Sequence, residues 1–383
     1  MTTHRRTAIA ATTAALFLLA SGMAAAQGTA GANEIRVGVF NSLTGVYAFG
    51  GVPIQNAMKM ALEEANQKGL PGGAKIRVIE GDTGSEKAQV INLVNQFAKR
   101  DQVSLIIGPT TSLEALAGAP VANDLQVPII AIGSSNDILA TGPWAFKVQA
   151  FAPDIMGFLG KQAVEKVGVK RLTVVYDQGS EGYISQAAAL RDYMKNAGVK
   201  IVSEEKILAS DSNFLALATK ISDQETDAVF IAAPAELSAN FFIQLRQAGL
   251  DPKVKFIGPS TLASQGFVKT GGKAVEGTLM VSDYSPSAVS PMNQAFIEGY
   301  KARYKVAPDN WAAMGYTIGQ LAAQAIQNAG PNPDRKRIRD EIGKLNKVPV
   351  VIGSGTWSVN SARQPSYGGV LLTVKDGGFV AVQ

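Results

Sequence analysis

The sequence predicts an α/β protein built from two open parallel sheets, each with helices on both faces. Three observations carry this. Strand and helix signals alternate from residue 35 to about 132, and the alternation starts again at 171. Several strand segments, such as 104–107 and 128–132, are short unbroken apolar runs, which is how a strand buried on both faces reads. The 383 residues are 46% hydrophobic and 17% charged. At about 150 residues per domain, this is enough for two domains, each able to bury a core of its own.

The elements follow in order. Ile35, Val37 and Val39 alternate as a strand does. Ile54, Ala57, Met58, Ala61, Leu62 and Ala65 have helical spacing, which Gly69 ends. Residues 76–79 are a second strand, and Val90, Val94, Phe97 and Ala98 mark a second helix. Between the strands at 104–107 and 128–132 lies a helix with Leu113, Leu116 and Val121. In the second half the strands are 171–176, 200–202, 227–231 and 254–258, with helices at 181–197, 212–222 and 235–248. After 284 come helices at 291–304, 310–329 and 334–345, then short strands with glycine turns at 355–357, 369–374 and 379–382. No Gly/Ser-rich linker separates the halves, so the chain is expected to cross between lobes more than once.

Residues 1–26 read as an export signal. Arg5 and Arg6 give a positive start, AALFLLA at 14–20 is the apolar middle, and Ala24-Ala25-Ala26 before Gln27 is a small-residue cleavage site. The apolar run is far below the roughly 20 residues of a membrane span. These 26 residues hold two arginines and no acid, so the remainder has 34 basic and 31 acidic side chains, a net +3. That balance gives no clustered basic face for nucleic acid. The densest basic run, Arg335-Lys336-Arg337 with Arg339, is interleaved with Asp334, Asp340 and Glu341 and is expected on a solvated helix face.

Composition also limits the chemistry. There is no cysteine, and the single histidine, His4, lies inside the export signal. Ser-His-Asp and Cys-His catalysis, disulfides and ordinary zinc sites are thereby excluded from the exported chain. No GxxxxGK[ST] is present and no strand leads into GxGxxG, so no nucleotide cofactor is expected.

Open parallel sheets bind ligands beyond the carboxyl ends of their strands. Those ends carry small hydroxylated turns: 41–45, 81–83, 108–112 and 133–136 in the first half, 177–181, 232–236 and 258–261 in the second. Thr110-Thr111-Ser112 is the best anion site, since a hydroxyl and the free amides of a helix start can hold a carboxylate. The alternative is that Ser112 merely caps its own helix.

The order and spacing of several motifs then resemble one family. RVGVFNSLTGVYAFG at 36–50, NAMKMALEEAN at 56–66, GDTGSEKAQV at 81–90, LIIGPTTS at 105–112, PIIAIGSS at 128–135 and KFIGPS at 255–260 are similar to the periplasmic branched-chain amino-acid binding proteins of ABC transporters. The resemblance runs through essentially all of the chain after 33. It implies a type I periplasmic binding fold: two Rossmann-like lobes joined by three hinge crossovers, with a ligand closed between them. The crossovers would fall near Gln149, Tyr284 and Arg363. The first lobe would then be 27–148 with 284–362, and the second 149–283 with 363–383.

Carried over residue by residue, the resemblance puts the carboxylate on Ser112, with Gly133 and Ser135 as the next wall. It matches Phe49 to the first-loop aromatic, with Tyr47 beside it, and Trp311 to the late helical aromatic. Glu181 or Tyr183 and Pro234 match the second-lobe loops. One departure stands out: the family's acid after Gly258-Pro259, which pairs with the ligand ammonium, is Ser260 here. A buried ammonium without an anion is costly. Either Glu236, Asp283 or Glu181 takes over, or the ligand is a deaminated acid with an apolar or aromatic body, which Tyr47, Phe49, Phe151, Tyr183 and Trp311 would suit. The second is the expectation. The resemblance further implies a cofactor-free, non-enzymatic monomer in the periplasm that hands a small carboxylate solute to an inner-membrane ABC permease. A sensory module of the same fold and a carboxylate-dependent hydrolase are the alternatives.

Overall fold

The computed structural model describes residues 33–135 and 137–382; the expected export signal at 1–26 lies outside them. The first lobe opens with β1 (Glu34–Asn41), α1 (Ala48–Lys68), β2 (Lys75–Asp82) and α2 (Lys87–Asn95), the last extended by a π-helical turn. It continues through β3 (Leu105–Ile107), α3 (Ser112–Asp124), β4 (Ile129–Ala131), α4 (Asp137–Ala140) and β5 (Ala145–Lys147). The five strands make one all-parallel sheet in the order β2-β1-β3-β4-β5.

The second lobe holds α5 (Ala152–Gln162), β6 (Arg171–Asp177), α6 (Glu181–Asn196), β7 (Lys200–Ile207), α7 (Leu215–Ser222) and β8 (Ala228–Ala232). α8 (Ala235–Gln247), β9 (Lys255–Gly258), α9 (Gln265–Gly271) and β10 (Leu279–Ser282) follow. The chain then returns to the first lobe for α10 (Pro291–Tyr304), α11 (Asn310–Ala329) and α12 (Arg335–Ile342). β11 (Val348–Pro349), β12 (Thr356–Val359) and β13 (Pro365–Ser366) form a small antiparallel sheet there. Finally β14 (Val370–Lys375) and β15 (Gly378–Ala381) join the second sheet, whose order is β15-β14-β10-β9-β8-β6-β7. β10, β9, β8, β6 and β7 run parallel to one another, and β14 and β15 are added antiparallel at one edge. The chain therefore passes between lobes three times: after β5, after β10 and between β13 and β14.

Each sheet is buried on both sides, which is why its strands read as continuous apolar runs. In the first lobe Val37, Val39 and Ile107 face a core with α1 and α11, while Phe40, Ile106 and Ile129 face α2 and α3. In the second, Val229 and Ile231 pack with Phe241, Phe242 and Phe256, while Phe230 and Ala232 pack with Leu159, Leu190 and Met194. The α1–α11 contact is close because Gly315 and Gly319 let α11 ride on the α1 backbone; a Cβ at Gly315 would sit 2.3 Å from the Ile54 carbonyl oxygen.

The fold differs from the sequence reading in a few elements. β5, α5 and β10 lack a strong pattern because they are short or interrupted by Gly and Pro. The basic run on α12 is also only partly a solvated face. Lys336 pairs with Asp340 in the open, but Arg335 donates to the carbonyls of Val103, Leu125 and Ala98 and ties α12 to the first sheet.

Candidate functional site

Two long helices start at the gap between the lobes, one from each side. β3 ends in the turn that leads into α3. Thr111 caps this helix: its Oγ1 accepts from the Glu114 N–H at 3.3 Å and donates to Glu114 Oε2 at 2.9 Å. The cap is thus the residue before Ser112, and Ser112 keeps its hydroxyl for the gap. Ser112 Oγ accepts from the Ser135 N–H at 3.2 Å. Gly133 fits behind it at φ +144°, a conformation L side chains avoid, with the place of a Cβ only 2.6 Å from Ser112 Oγ.

From the other side, β6 leads through Ser180 into α6. Gly182 in its first turn lies against Ser112; a Cβ there would come within 2.9 Å of Ser112 Oγ and 3.1 Å of its Cβ. Ser134 Oγ donates to the Gly182 carbonyl at 3.4 Å and accepts from Gln186 Nε2 at 3.0 Å. The lobes meet closely here, around a cavity of about 40 Å³.

Its first-lobe wall is Thr110, Thr111, Ser112, Ile132, Gly133 and Ser134, with Trp311 from α11. The opposite wall is Ser180, Gly182, Tyr183, Gln186, Ser260 and Thr261, and Gln149 stands at the first crossing. None of these side chains carries a charge. What the site offers an anion is the free N–H groups and positive ends of α3 and α6 together with hydroxyls.

Residues 34–378 match the model of the periplasmic binding protein family. This chain belongs to that family. Among its relatives is the leucine-specific-binding protein of Salmonella typhimurium, 24% identical over 339 residues, covering 88% of this chain and 89% of that protein. A leucine-binding protein of Thermotoga maritima has the same fold at TM-score 0.85 and 24% identity, covering 91% of this chain and 98% of that one. A solute-binding protein of an ABC transporter from Rhodopseudomonas palustris, solved with 3,4-dihydroxybenzoic acid, matches at TM-score 0.82 and 25% identity over 91% and 96% of the two chains.

In this periplasmic binding protein, Ser112, Gly133, Tyr183, Ser260 and Trp311 from the sequence reading come together at the cleft. Tyr47 and Phe49 border it. Tyr47 faces Ser180 across the gap, and burial pushes its phenol above the ordinary range. Phe49 meets the Trp311 ring edge-on at 5.8 Å. Ser135 stands one layer back, its amide on Ser112 and its Oγ accepting from the Asp137 N–H. Glu181 is exposed, and Pro234 and Glu236 sit at the start of α8, away from the cleft lining. Phe151 lies under the Lys147 ammonium at 4.5 Å rather than in the wall.

The charges lie behind the cleft. Burial raises the carboxyls of Glu114, Asp177 and Asp283 and lowers the Lys147 ammonium to about 7. Asp283 joins all three passages between the lobes. Its Oδ1 accepts from the Tyr367 hydroxyl at 2.5 Å, and its Oδ2 accepts from Gln149 and Asn310, each at 3.4 Å. Gln149 also donates to Ser260 Oγ at 3.3 Å, so Ser260 stands between the Asp283 carboxylate and the cleft. Sequence reasoning missed Gln149 and Gln186. Neither belongs to a hydroxylated turn, and Gln186 was legible only as a polar residue on the buried stripe of α6 with Tyr183, Ala187 and Leu190.

Proposed function

We propose that this protein is the extracytoplasmic substrate-binding component of an ABC importer. It is exported by the segment at 1–26, works as a periplasmic monomer, captures a small carboxylate by hinge closure and hands it to an inner-membrane permease. The observation that carries this reading is the asymmetry of the cleft. Two helix N-termini and several hydroxyls converge on it, and no charged side chain lines it. Such a site favours an anion and gives an ammonium no ionic partner. Asp283, the acid nearest Ser260, has both oxygens occupied by Tyr367, Gln149 and Asn310. The solute is therefore read as a deaminated acid with an apolar or aromatic body, packed against Trp311, Tyr183 and Phe49.

The three passages between lobes serve as the hinges. Ser112 takes the carboxylate on the first lobe, and the second lobe adds Gly182, Tyr183 and Gln186 only in the closed form. That differential contact is what drives closure. Among the described residues no helix is long and apolar enough to cross a membrane, in keeping with a carrier that reaches its permease by diffusion.

A thermal-shift panel of amino acids, aliphatic acids and aromatic acids tests the reading, because a ligand of the folded state raises Tm with the logarithm of its concentration. Shifts with acids and not with leucine or valine are expected, and the reverse would overturn the deaminated assignment. Ser112→Ala should weaken acid binding by roughly 1–3 kcal/mol; an unchanged affinity would remove Ser112 from the site.

A further inference from the structure

Two polar atoms at the cleft have no partner: the Trp311 indole Nε1 and the Gln186 amide Oε1. Both residues are deeply buried, at 7% and 4% exposure. Neither can turn away to find one. The Trp311 ring is held by Phe49 at its edge and by Gly50, where a Cβ would lie 3.1 Å from its Cδ2. Gln186 is pinned by its bond to Ser134 Oγ. If the amide is turned, Oε1 takes the Ser134 bond and the NH₂ is left over instead, so one amide atom of this cleft-lining residue lacks a partner in either case.

Three of the hydroxyls lining the cleft are already committed within the protein. Thr110 Oγ1 accepts from the Ser42 N–H and donates to Asn41. Thr111 serves Glu114, and Ser134 serves Gly182 and Gln186. An indole N–H only donates, so it needs an acceptor, whereas a free amide oxygen needs a donor. A hydroxyl group is both. A hydrocarbon body would leave both atoms buried and unpaired, which native sites avoid.

We infer that the solute is a hydroxycarboxylate, its hydroxyl substitution recognised by the Trp311 N–H and the Gln186 amide while the acid group sits at the starts of α3 and α6. This rests on the carboxylate reading above and narrows it to one chemical class. Trp311 is then a specificity-determining contact as well as an apolar wall. A plain acid and its hydroxylated analogue share the carboxylate and the body, so the difference between them isolates this contact.

Calorimetric titration of matched pairs tests it. The probes are benzoate against 4-hydroxybenzoate and 3,4-dihydroxybenzoate, and 4-methylpentanoate against 2-hydroxy-4-methylpentanoate. The hydroxylated member of at least one pair should bind tenfold or more tightly. Trp311→Phe keeps an aromatic wall and removes the donor. It should cut that preference at least fivefold, a ratio that stays readable even where the smaller ring weakens both acids together. Gln186→Met is the second variant, used if Trp311→Phe gives no cooperative melt. Plain acids binding as well as every hydroxylated partner would overturn the inference while leaving the carboxylate reading intact. So would a preference that survives both variants. If no acid of either kind binds, the carboxylate reading falls and takes this inference with it.

Discussion

The two walls of the cleft are built differently. The first-lobe wall is braced from behind by its own lobe. Thr110 is held by Asn41 and Ser42, and Glu114 beneath the turn accepts from Ser42, Thr83 and Thr111. The second-lobe wall is braced largely by the lobe opposite. Gln186 and the Gly182 carbonyl bond Ser134, and Ser260 bonds Gln149 at the first crossing. A wall that carries its own support is in place before a ligand arrives; one whose bonds run across the gap is completed only when the gap closes. Under the proposed function this contrast sets an order of binding: solute first on the first lobe, then closure of the second.

Substitutions break this contrast at different points. The largest effect is expected at Asp283, which belongs to neither wall and ties the crossings together. Asp283→Ala strands buried donors on Tyr367, Gln149 and Asn310 and should cost about 1–3 kcal/mol of stability for each, read by denaturant titration.

Behind the first wall, Lys147 is buried with its ammonium on the Ser135 carbonyl at 3.2 Å. Its folded pKa of about 7 lies below that of an unfolded lysine, so the unfolded state binds more protons between pH 7 and about 10. Wild-type stability should therefore rise with pH across that window. Lys147→Met should stabilise by up to about 4 kcal/mol at or below pH 7, with the gain fading toward pH 10. A gain independent of pH would mean that folded and unfolded chains bind equal numbers of protons, so that Lys147 keeps the ordinary lysine range and stays charged in the fold.

Where the walls meet, Gly182→Ala puts a methyl against Ser112. It should weaken acid binding by about 1–3 kcal/mol and leave the melting temperature of the free protein nearly unchanged. An equal loss of both would mean the contact supports folding rather than closure.

The smallest effect is at the start of α11, where Asp309 caps the helix through the Ala312 N–H at 3.0 Å. Burial raises its carboxyl to about 6, so its ionisation costs stability above that pH and nothing below about 4. Asp309→Asn keeps the cap and should gain about 1 kcal/mol at pH 7, a gain that disappears in acid.

Much of the architecture was legible because burial on both faces writes itself into strands as apolar runs and into helices as a stripe. Residues 105–107 and 228–232 are fully buried strands of that kind, and the second half of α11 buries Ile318, Leu321, Ala322, Ala325 and Ala329 at helical spacing. The antiparallel attachment of β14 and β15 was not legible, since a short strand carries no mark of its partner's direction. Ser112 could be placed at a strand end before a helix, but its role hung on one residue of register. Whether it or Thr111 caps α3 is settled by which hydroxyl reaches the Glu114 amide.

What the residues alone determined is the kind of molecule: two α/β lobes, no cysteine and no histidine after His4, and hydroxylated turns at the strand ends. These follow from composition and periodicity, which are local. Only the tertiary structure decided where the charges went. Asp283, Glu114 and Lys147 lie far apart in the chain, yet each sits just behind the cleft rather than in it, and Trp311 and Gln186 reach it with a polar atom unspent. Which side chain faces a gap between lobes depends on how two separately folded halves meet, and no local pattern carries that information.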